Sequence, residues 1–450
     1  MARSAWEAFA LKEVDSESDN NDKVWGQCLI TGQFAPIAPI HAAIKGVNGA
    51  QTSGASLVSF NQDSFCSYGK EQNYNAPISK SAAFAYTTAL NHLLASENNH
   101  VRVRDMTVVF WADKRSSQKE NKILAWSLDP VFVEEGDQDN KKSGRSVDPA
   151  TAREARKILD CIRSGKPSED LDVDVDLDAR CCILGLGPNA ARLTVRFWQV
   201  NTLRIIVEKI AQHYNDMEMV GLERWGGMVS PFWTLKALAN REDAKNIPPQ
   251  LEGQFLESVL TGRMYPQTLF SMALNRCRTG GEYGGVTAVR AAIIKAFLLR
   301  QNRYRKMGRE LSEKEAITVS LNENHPQPAY QLGRLFSLLE KVQRDAQGPD
   351  INTTIRDRYF ASASSTPGSV FPLLLNLAQH HMSKSRVGDD SGRKIRDYAD
   401  PRIGDVLDRI DVFPTHLSLE EQGLFVLGYY HQNRANYTKK DKAEKEKSND

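Results

Sequence analysis

The most regular pattern of hydrophobic and polar positions lies in the C-terminal part of the chain. Apolar residues recur there at spacings of three and four, which places them on one face of a helix and leaves the opposite face polar. Ser418 and Glu421 also have the spacing of a capping box, directly before the apolar run LFVLGYY. The two apolar stripes comprise Ala329, Leu332, Leu335, Phe336, Leu339 and Val342, followed by Val370, Leu373, Leu374 and Leu377. With further helices near 352–362 and 401–410, these signals predict a compact helical bundle.

The N-terminal half instead shows patterns typical of strands. The segment VRVRDMTVVFWAD predicts two paired strands, and RCCILGLG and RLTVRFWQV predict two more, joined by a tight turn at PNAA. We also predict a short strand at Leu57 to Phe60, a helix capped by Ser79 or Ser81 that reaches about Leu94, and a helix from Thr202 to His213. The order strand, turn, strand and helix indicates a ferredoxin-like fragment.

Together these elements predict an α+β protein: a mixed N-terminal α/β region with small antiparallel sheets, followed by a C-terminal all-α helical bundle. Breaks at Ser230-Pro231 and Pro248-Pro249 fit helix boundaries. The terminal KKDKAEKEKSND has no apolar face and is expected to be disordered. The predicted segments are a flexible lead-in at 1–24, an α+β region at 25–220, a helical region with a basic strip at 221–318, the helical bundle at 319–436 and a tail at 437–450.

Composition narrows the class of protein without naming its chemistry. The chain has 450 residues, of which 41% are hydrophobic and 25% are charged, enough to bury two or three cores. It contains no apolar run of membrane-spanning length and begins with a polar, acidic segment, so we expect a soluble, unexported, cytoplasmic protein with no membrane partner. The six cysteines lack C-x-x-C spacing, so neither a zinc site nor a disulfide framework is indicated.

The net charge of +2 does not by itself indicate a polyanionic partner, but positive charge is concentrated between Arg276 and Arg309. Glu282 is the sole acid in this stretch, and two glycine pairs, Gly280-Gly281 and Gly284-Gly285, precede a helix predicted from about Val286. Such a strip can bind phosphates without regard to sequence. The alternative is a solvated helix face whose cations pair with acids elsewhere. The candidate backbone contacts are Arg276, Arg278, Arg290, Lys295, Arg300, Arg303, Arg305 and Lys306.

A second candidate surface lies between residues 45 and 75, where amides and lysines alternate with glycines near Tyr68 and Tyr74. Amides and lysines can read base edges or bind phosphates, and tyrosines can stack on bases. The alternative is an ordinary structured surface loop. The candidate contacts here are Lys45, Gln51, Ser53, Asn61, Lys70 and Asn73.

Catalytic motifs have little support. The acidic run from Glu169 to Asp178 lacks the glycine turn of a calcium loop, and His380-His381 lacks a carboxylate partner at metal-ligand spacing. Phosphate-loop and dinucleotide-loop motifs are missing from the sequence, so no cofactor is implied. We therefore expect a chain that is not an enzyme. Two alternatives stay open: a metal-dependent nuclease or other phosphodiester-processing enzyme using the acidic run and His381, and a structural assembly protein whose basic residues pair internally.

Several longer segments resemble the large-subunit family of the type I-C CRISPR Cascade complex. The resemblance is carried by CLITGQFAPIAPIHAAIKGVNGAQTSGASLVSFN and SYGKEQNYNAPISKSAAFAYTTALNHLL, and it recurs in VVFWAD, ILGLGPNAARLTVRFWQV, TGRMYPQTLFSMALNRCR and PAYQLGRLFSLLEKVQ. It extends from about residue 25 to residue 432.

The resemblance implies a non-catalytic subunit that binds CRISPR guide RNA and target double-stranded DNA, and helps to recognise the protospacer-adjacent motif. It also implies support of the R-loop with its displaced strand, contacts with the other Cascade subunits, and recruitment of a separate helicase-nuclease in trans. Members of this family usually carry a sizeable region before the segment that begins here at Cys28, so part of the motif-reading surface is expected to be absent. The segment from about Val319 resembles the Cascade small subunit, which such genes can also produce by internal translation.

Overall fold

The computed structural model describes residues 24–113, 118–130, 149–165, 175–305, 317–348, 351–383 and 395–447. These residues form two compact units, the first comprising most of the described chain up to Val207 and the second most of it from Glu208 onward. The predicted lead-in at 1–24 lies almost wholly outside the described residues, as do Lys306 and the acidic run up to Asp174.

The first unit is built on a four-stranded antiparallel sheet with strand order β3-β4-β5-β6, where the strands are β3 (His100–Val103), β4 (Met106–Ala112), β5 (Arg180–Asn189) and β6 (Arg192–Thr202). Strand β4, an inner strand, is buried along almost its full length, whereas β6 at the sheet edge is only partly buried. A separate ribbon pairs β1 (Trp25–Gln27) with β2 (Phe34–Pro36). The two predicted hairpins and the turn at PNAA are confirmed.

The sheet topology corrects two predictions. All four strands are neighbours in sequence order, so the sheet is a meander and the ferredoxin-like arrangement is wrong. The predicted strand at Leu57 to Phe60 is also wrong, because Ala55 and Ser56 make only isolated bridges, to Ile44 and Arg192. Backbone pairing therefore ends before Leu57.

Helix α1 (Lys80–Ala95) covers the sheet of the first unit. Its predicted cap is confirmed: the Ser79 hydroxyl accepts a hydrogen bond from the Ala82 N–H at 3.3 Å. Leu90 and Leu94 reach the core from one face of α1, together with Ile44 and Val47 from the segment that precedes it. Two further helices, α2 (Gln118–Leu128) and α3 (Pro149–Arg163), follow in the chain.

The second unit is helical. Its elements begin with α4 (Leu203–Met217), which continues from the first unit, and proceed through α5 (Pro231–Lys236), α6 (Pro249–Thr261), α7 (Gln267–Arg278), α8 (Ala288–Arg305), α9 (Pro328–Gln347), α10 (Ile355–Ala363), α11 (Pro367–Ser383), α12 (Ile395–Leu407) and α13 (Leu419–Lys447). With the antiparallel sheet of the first unit, this arrangement confirms the α+β class.

Helices α9 and α13 form the centre of the second unit. The predicted apolar stripe of α9 is buried, and Phe336 packs edge-to-face on Phe360 and Phe425 with ring centroids 5.5 Å and 5.9 Å away. The two helices approach closely because each has a glycine at the crossing. A β carbon at Gly333 would collide with the carbonyl of Phe425, and one at Gly428 with the carbonyl of Tyr330.

Two details of the bundle differ from the sequence prediction. Leu373 is 47% exposed, because the buried face of α11 is centred near Phe371 and Ala378 and, at about 100° per residue, Leu373 points well away from it. Helix α13, capped by Ser418 and Glu421 as predicted, extends to Lys447 and so into the tail expected to be disordered. Lys, Ala and Glu in that tail are strong helix formers, and no Gly or Pro interrupts them.

Candidate nucleic-acid interface

In the first unit, residues 44–55 form a loop whose apolar residues hold it against α1 and the sheet. Ile44, Val47 and Ala55 are buried in the core that also contains residues of α1 and of the sheet. On α1, Asn91 holds the loop from its polar side: its side chain accepts the Lys45 N–H at 2.8 Å and donates to the Ala43 carbonyl at 3.1 Å. This anchoring leaves the side chains of the three predicted contacts exposed, namely Lys45, Gln51 and Ser53.

Glycines make this loop possible. Gly46, Gly49 and Gly54 all have positive φ, a backbone conformation that residues other than glycine adopt only at an energetic cost. A β carbon at Gly54 would also lie 2.9 Å from the β carbon of Ala43. The glycines allow the turns of the loop, while the buried apolar residues and Asn91 hold its backbone in place.

The chain continues as an irregular segment up to residue 75, and residues 44–75 together are called the loop from here on. Its second part, residues 61–75, is held by two side chains. Arg192 on β6 donates to the side-chain amide oxygen of Asn61, and its guanidinium lies 4.1 Å from the centroid of the Phe65 ring. The Asn75 side chain accepts the Ser67 N–H at 2.8 Å and donates to the Lys70 carbonyl at 2.9 Å. Between these anchors Tyr68 is 99% exposed.

The predicted contacts in this second part differ in accessibility. Asn61 and Lys70 have exposed side chains, although Asn61 is already bonded to Arg192. Asn73 is buried, and its backbone N–H donates to the Pro39 carbonyl at 3.1 Å. Asn73 therefore lies beneath the surface of the loop.

In the second unit, the basic stretch divides into buried and exposed cations. Helix α8 was predicted from about Val286 and begins at Ala288. Arg290, Lys295 and Arg300 are fully buried along it. Buried cations require partners, and each of the three has them within the protein.

Lys295 and Arg300 share one partner, Asp216, at the C-terminal end of α4. Lys295 donates to the Asp216 carbonyl at 2.9 Å. Burial lowers the pKa of the Lys295 ammonium to about 8, although the negative charge of Asp216 acts to raise it. Arg300 binds the buried Asp216 carboxylate at 3.3 Å, and also donates to the Ser258 and Arg263 carbonyls at 2.8 Å. The Asp216 carboxylate thus neutralises positive charge within the core.

Arg303 completes this cluster from the surface. It binds the other oxygen of the Asp216 carboxylate at 2.7 Å, while 41% of its own side chain is exposed. Arg305 is more exposed and forms an ion pair with Glu420. These two cations are partly accessible, and both already have an acidic partner.

A neutral aromatic pair packs against the Arg300 side chain. The Arg300 guanidinium stacks on Tyr265, 3.7 Å from the ring centroid. The Tyr265 hydroxyl in turn lies 2.7 Å from Nδ1 of His213. Burial, with a smaller contribution from the positive charge of Arg300, lowers the pKa of His213 to about 3. The histidine is therefore neutral at physiological pH.

The sequence singled out neither Arg192 nor Asp216, the residues that organise the two regions. Each acts on positions far away along the chain: Arg192 on Asn61, and Asp216 on Arg300 and Arg303. No local motif marks such residues. Contact between nucleic acid and the cations of α8 stays a prediction for Arg290, Lys295, Arg300, Arg303 and Arg305.

The residues considered for metal chemistry do not come together in the part of the chain that the structure covers. Asp178, the last residue of the acidic run, forms an ion pair with Arg204 at 3.1 Å. His380 is exposed, whereas His381 on the same helix is buried. No group of three His, Cys, Asp or Glu side chains among the described residues is placed to hold a metal ion.

None of the described helices is both long and apolar enough to cross a membrane.

Comparison with known families identifies the class of protein. The chain belongs to the family of CRISPR-associated proteins described as Cas_Csd1, whose model matches residues 1–437. This match confirms the resemblance to the large subunit of type I-C Cascade that the sequence motifs indicated. No curated protein matches the chain.

Proposed function

We propose that this chain is a non-catalytic large subunit of a type I-C Cascade complex in the cytoplasm. In this role it binds guide RNA and target DNA, takes part in recognising the protospacer-adjacent motif, stabilises the R-loop and recruits the helicase-nuclease that cuts. Family membership supports the CRISPR association, and the remaining roles are proposals.

The observation that carries the DNA-reading part is the loop at residues 44–75. Its backbone is fixed by buried apolar residues, glycine turns, Asn91 and Arg192, while Lys45, Gln51 and Lys70 extend into solvent. A held backbone that presents amides and ammonium groups suits hydrogen bonding to base edges and phosphates, because little backbone order must be gained on binding. Tyr68, almost fully exposed, provides a ring for stacking.

The test is binding of target DNA by the complete complex, assembled from this chain, the other Cascade subunits and guide RNA. Target affinity is measured across a salt series for duplexes with and without the motif. We expect Gln51→Ala to reduce the preference for the motif, and Lys45→Ala and Lys70→Ala to weaken binding to all targets and lower the salt slope by about one each.

Lys157→Ala is the matched control, because Lys157 is an exposed lysine of the first unit outside this loop. The loop assignment is wrong if the loop variants behave like this control. Cleavage of DNA or RNA by the purified chain that requires a divalent cation would overturn the non-catalytic assignment.

A further inference from the structure

The turn between α7 and α8, residues 279–287, contains the two glycine pairs and is held by arginines. The Gly285 N–H donates to the Arg276 carbonyl at 2.9 Å. The buried Arg290 donates to the Gly285 carbonyl at 2.8 Å and to the Tyr283 carbonyl at 2.9 Å. The Arg276 guanidinium also donates to the Tyr283 carbonyl. The turn is therefore rigid, although it lies largely at the surface.

The guanidinium groups of Arg276, Arg290 and Arg356 lie at this turn, and Arg278 lies next to it at the end of α7. Arg276, Arg278, Arg290 and Arg356 all act on the buried Cys277 thiol, whose pKa burial raises to about 12 while their positive charges oppose the shift. Arg356 comes from α10, and its guanidinium occupies the position that a β carbon at Gly285 would take. The absence of a side chain at Gly285 thus allows a distant arginine to lie against the turn.

Within the described residues, only one cation of this group forms an ion pair with an acid. Glu242 forms an ion pair with Arg290 at 3.1 Å, which accounts for one of the four cations. Arg278 donates to the neutral amide of Gln422, and Arg276 to a carbonyl, while its Nε is buried without an acceptor. Arg356 has no hydrogen bond or ion pair with any residue in the described ranges.

Among the described residues these three cations form no ion pair, and the one acid of the turn itself, Glu282, is exposed. Partly buried cations without an acidic partner lose solvation that the protein does not replace. Burial already lowers the pKa of Arg278. A bound anion would supply the missing negative charge. Guanidinium groups bind phosphate oxygens in bidentate fashion, and the first turn of α8, which adds N–H groups that favour anions, begins at Ala288.

We propose that Arg276, Arg278 and Arg356, together with the 279–287 turn, form a binding site for a phosphodiester group of a nucleic-acid backbone. The inference rests on the proposed function and assigns one of its backbone contacts to a defined position. It also adds Arg356, which lies outside the basic stretch recognised from sequence.

The test compares Arg356→Gln with Arg358→Gln in the assembled complex. Both arginines lie in α10, but two residues of helix place them on nearly opposite faces, so the variants remove the same charge from different surfaces. We expect Arg356→Gln to weaken target binding about tenfold at moderate salt and to lower the salt slope by about one, with binding by Arg358→Gln unchanged. Equal effects of the two substitutions, or none for Arg356→Gln in a complex that binds normally, would refute the site and leave the proposed function standing.

A second measurement uses the free full-length chain, so that the site can be judged even if the complex does not bind DNA. Inorganic phosphate should raise the melting temperature of the wild type and of Arg358→Gln, but not of Arg356→Gln. Without phosphate, Arg356→Gln should melt no lower than the wild type, because it relieves repulsion; a clear loss of stability would show that Arg356 has a structural role instead. Stabilisation by phosphate with no change in the salt slope of target binding would overturn the nucleic-acid assignment in favour of a small phosphate-bearing ligand.

Discussion

Two of the carboxylates that pair with arginines of α8, Asp216 and Glu420, offer a direct test of how this bundle tolerates its buried charge. Asp216 binds Arg300 and Arg303, and its side chain is 3% exposed, while Glu420 binds Arg305 and is 38% exposed. Removing Asp216 leaves the Arg300 guanidinium buried with carbonyl acceptors but no negative charge. Removing Glu420 leaves Arg305 free to turn into water.

We therefore expect Asp216→Ala to lower the free energy of unfolding by about 3–5 kcal/mol, the usual cost of breaking a buried ion pair from one side. Glu420→Ala should cost about 1 kcal/mol, which includes the exposed pair and the favourable position of an acid in the first turn of α13. For a unit of this size, the melting temperature should fall by roughly 6–20 °C for Asp216→Ala and by less than about 4 °C for Glu420→Ala.

The assay is urea unfolding of the free full-length chain, followed by circular dichroism, with thermal melting as a second measure. Asp216→Asn serves as a control that keeps the shape of the side chain and removes its charge, and it should fall between the wild type and Asp216→Ala. A loss below about 1 kcal/mol for Asp216→Ala, or one no larger than that of Glu420→Ala, would refute the inference that Asp216 neutralises the core.

Two further predictions concern stability. His213 and His431 are neutral in the folded chain because burial lowers their pKa values to about 3 and about 4, so the unfolded chain binds their protons first as pH falls below about 6.5. Between about pH 6.5 and pH 4, stability should therefore fall by about 1.4 kcal/mol per pH unit for each histidine. Urea titrations at several pH values should show a shallower loss for His431→Gln, and an unchanged slope would contradict this. Gly428→Ala should cost more than about 2 kcal/mol by forcing α13 away from the Tyr330 carbonyl, whereas Gly404→Ala, with open space around it, should be neutral or slightly stabilising in the same unfolding assay.

The resemblance to the large-subunit family rested on contiguous segments, and the match over residues 1–437 confirmed it. The position of the loop at 45–75 was also evident, because its glycines and polar residues are adjacent in sequence. The sequence did not show which of these residues are accessible. Asn73 is buried, and Arg192, which holds Asn61, comes from a strand well over a hundred residues later.

By itself, the sequence determined the local elements of this protein. The hairpins, the Ser79 and Ser418 caps and the apolar stripe of α9 each depend on residues a few positions apart, where the periods of strand and helix apply directly.

Only the tertiary structure decided what the basic stretch does. Arg290 and Arg300 have the same local signature as exposed arginines, yet each lies in the core because an acid from a distant segment, Glu242 or Asp216, reaches it. Conversely, Arg356 joins the 279–287 turn because Gly285 leaves room for it. The physical reason is that charge and periodicity are local properties of a chain, whereas burial and pairing depend on which distant segments the fold brings into contact.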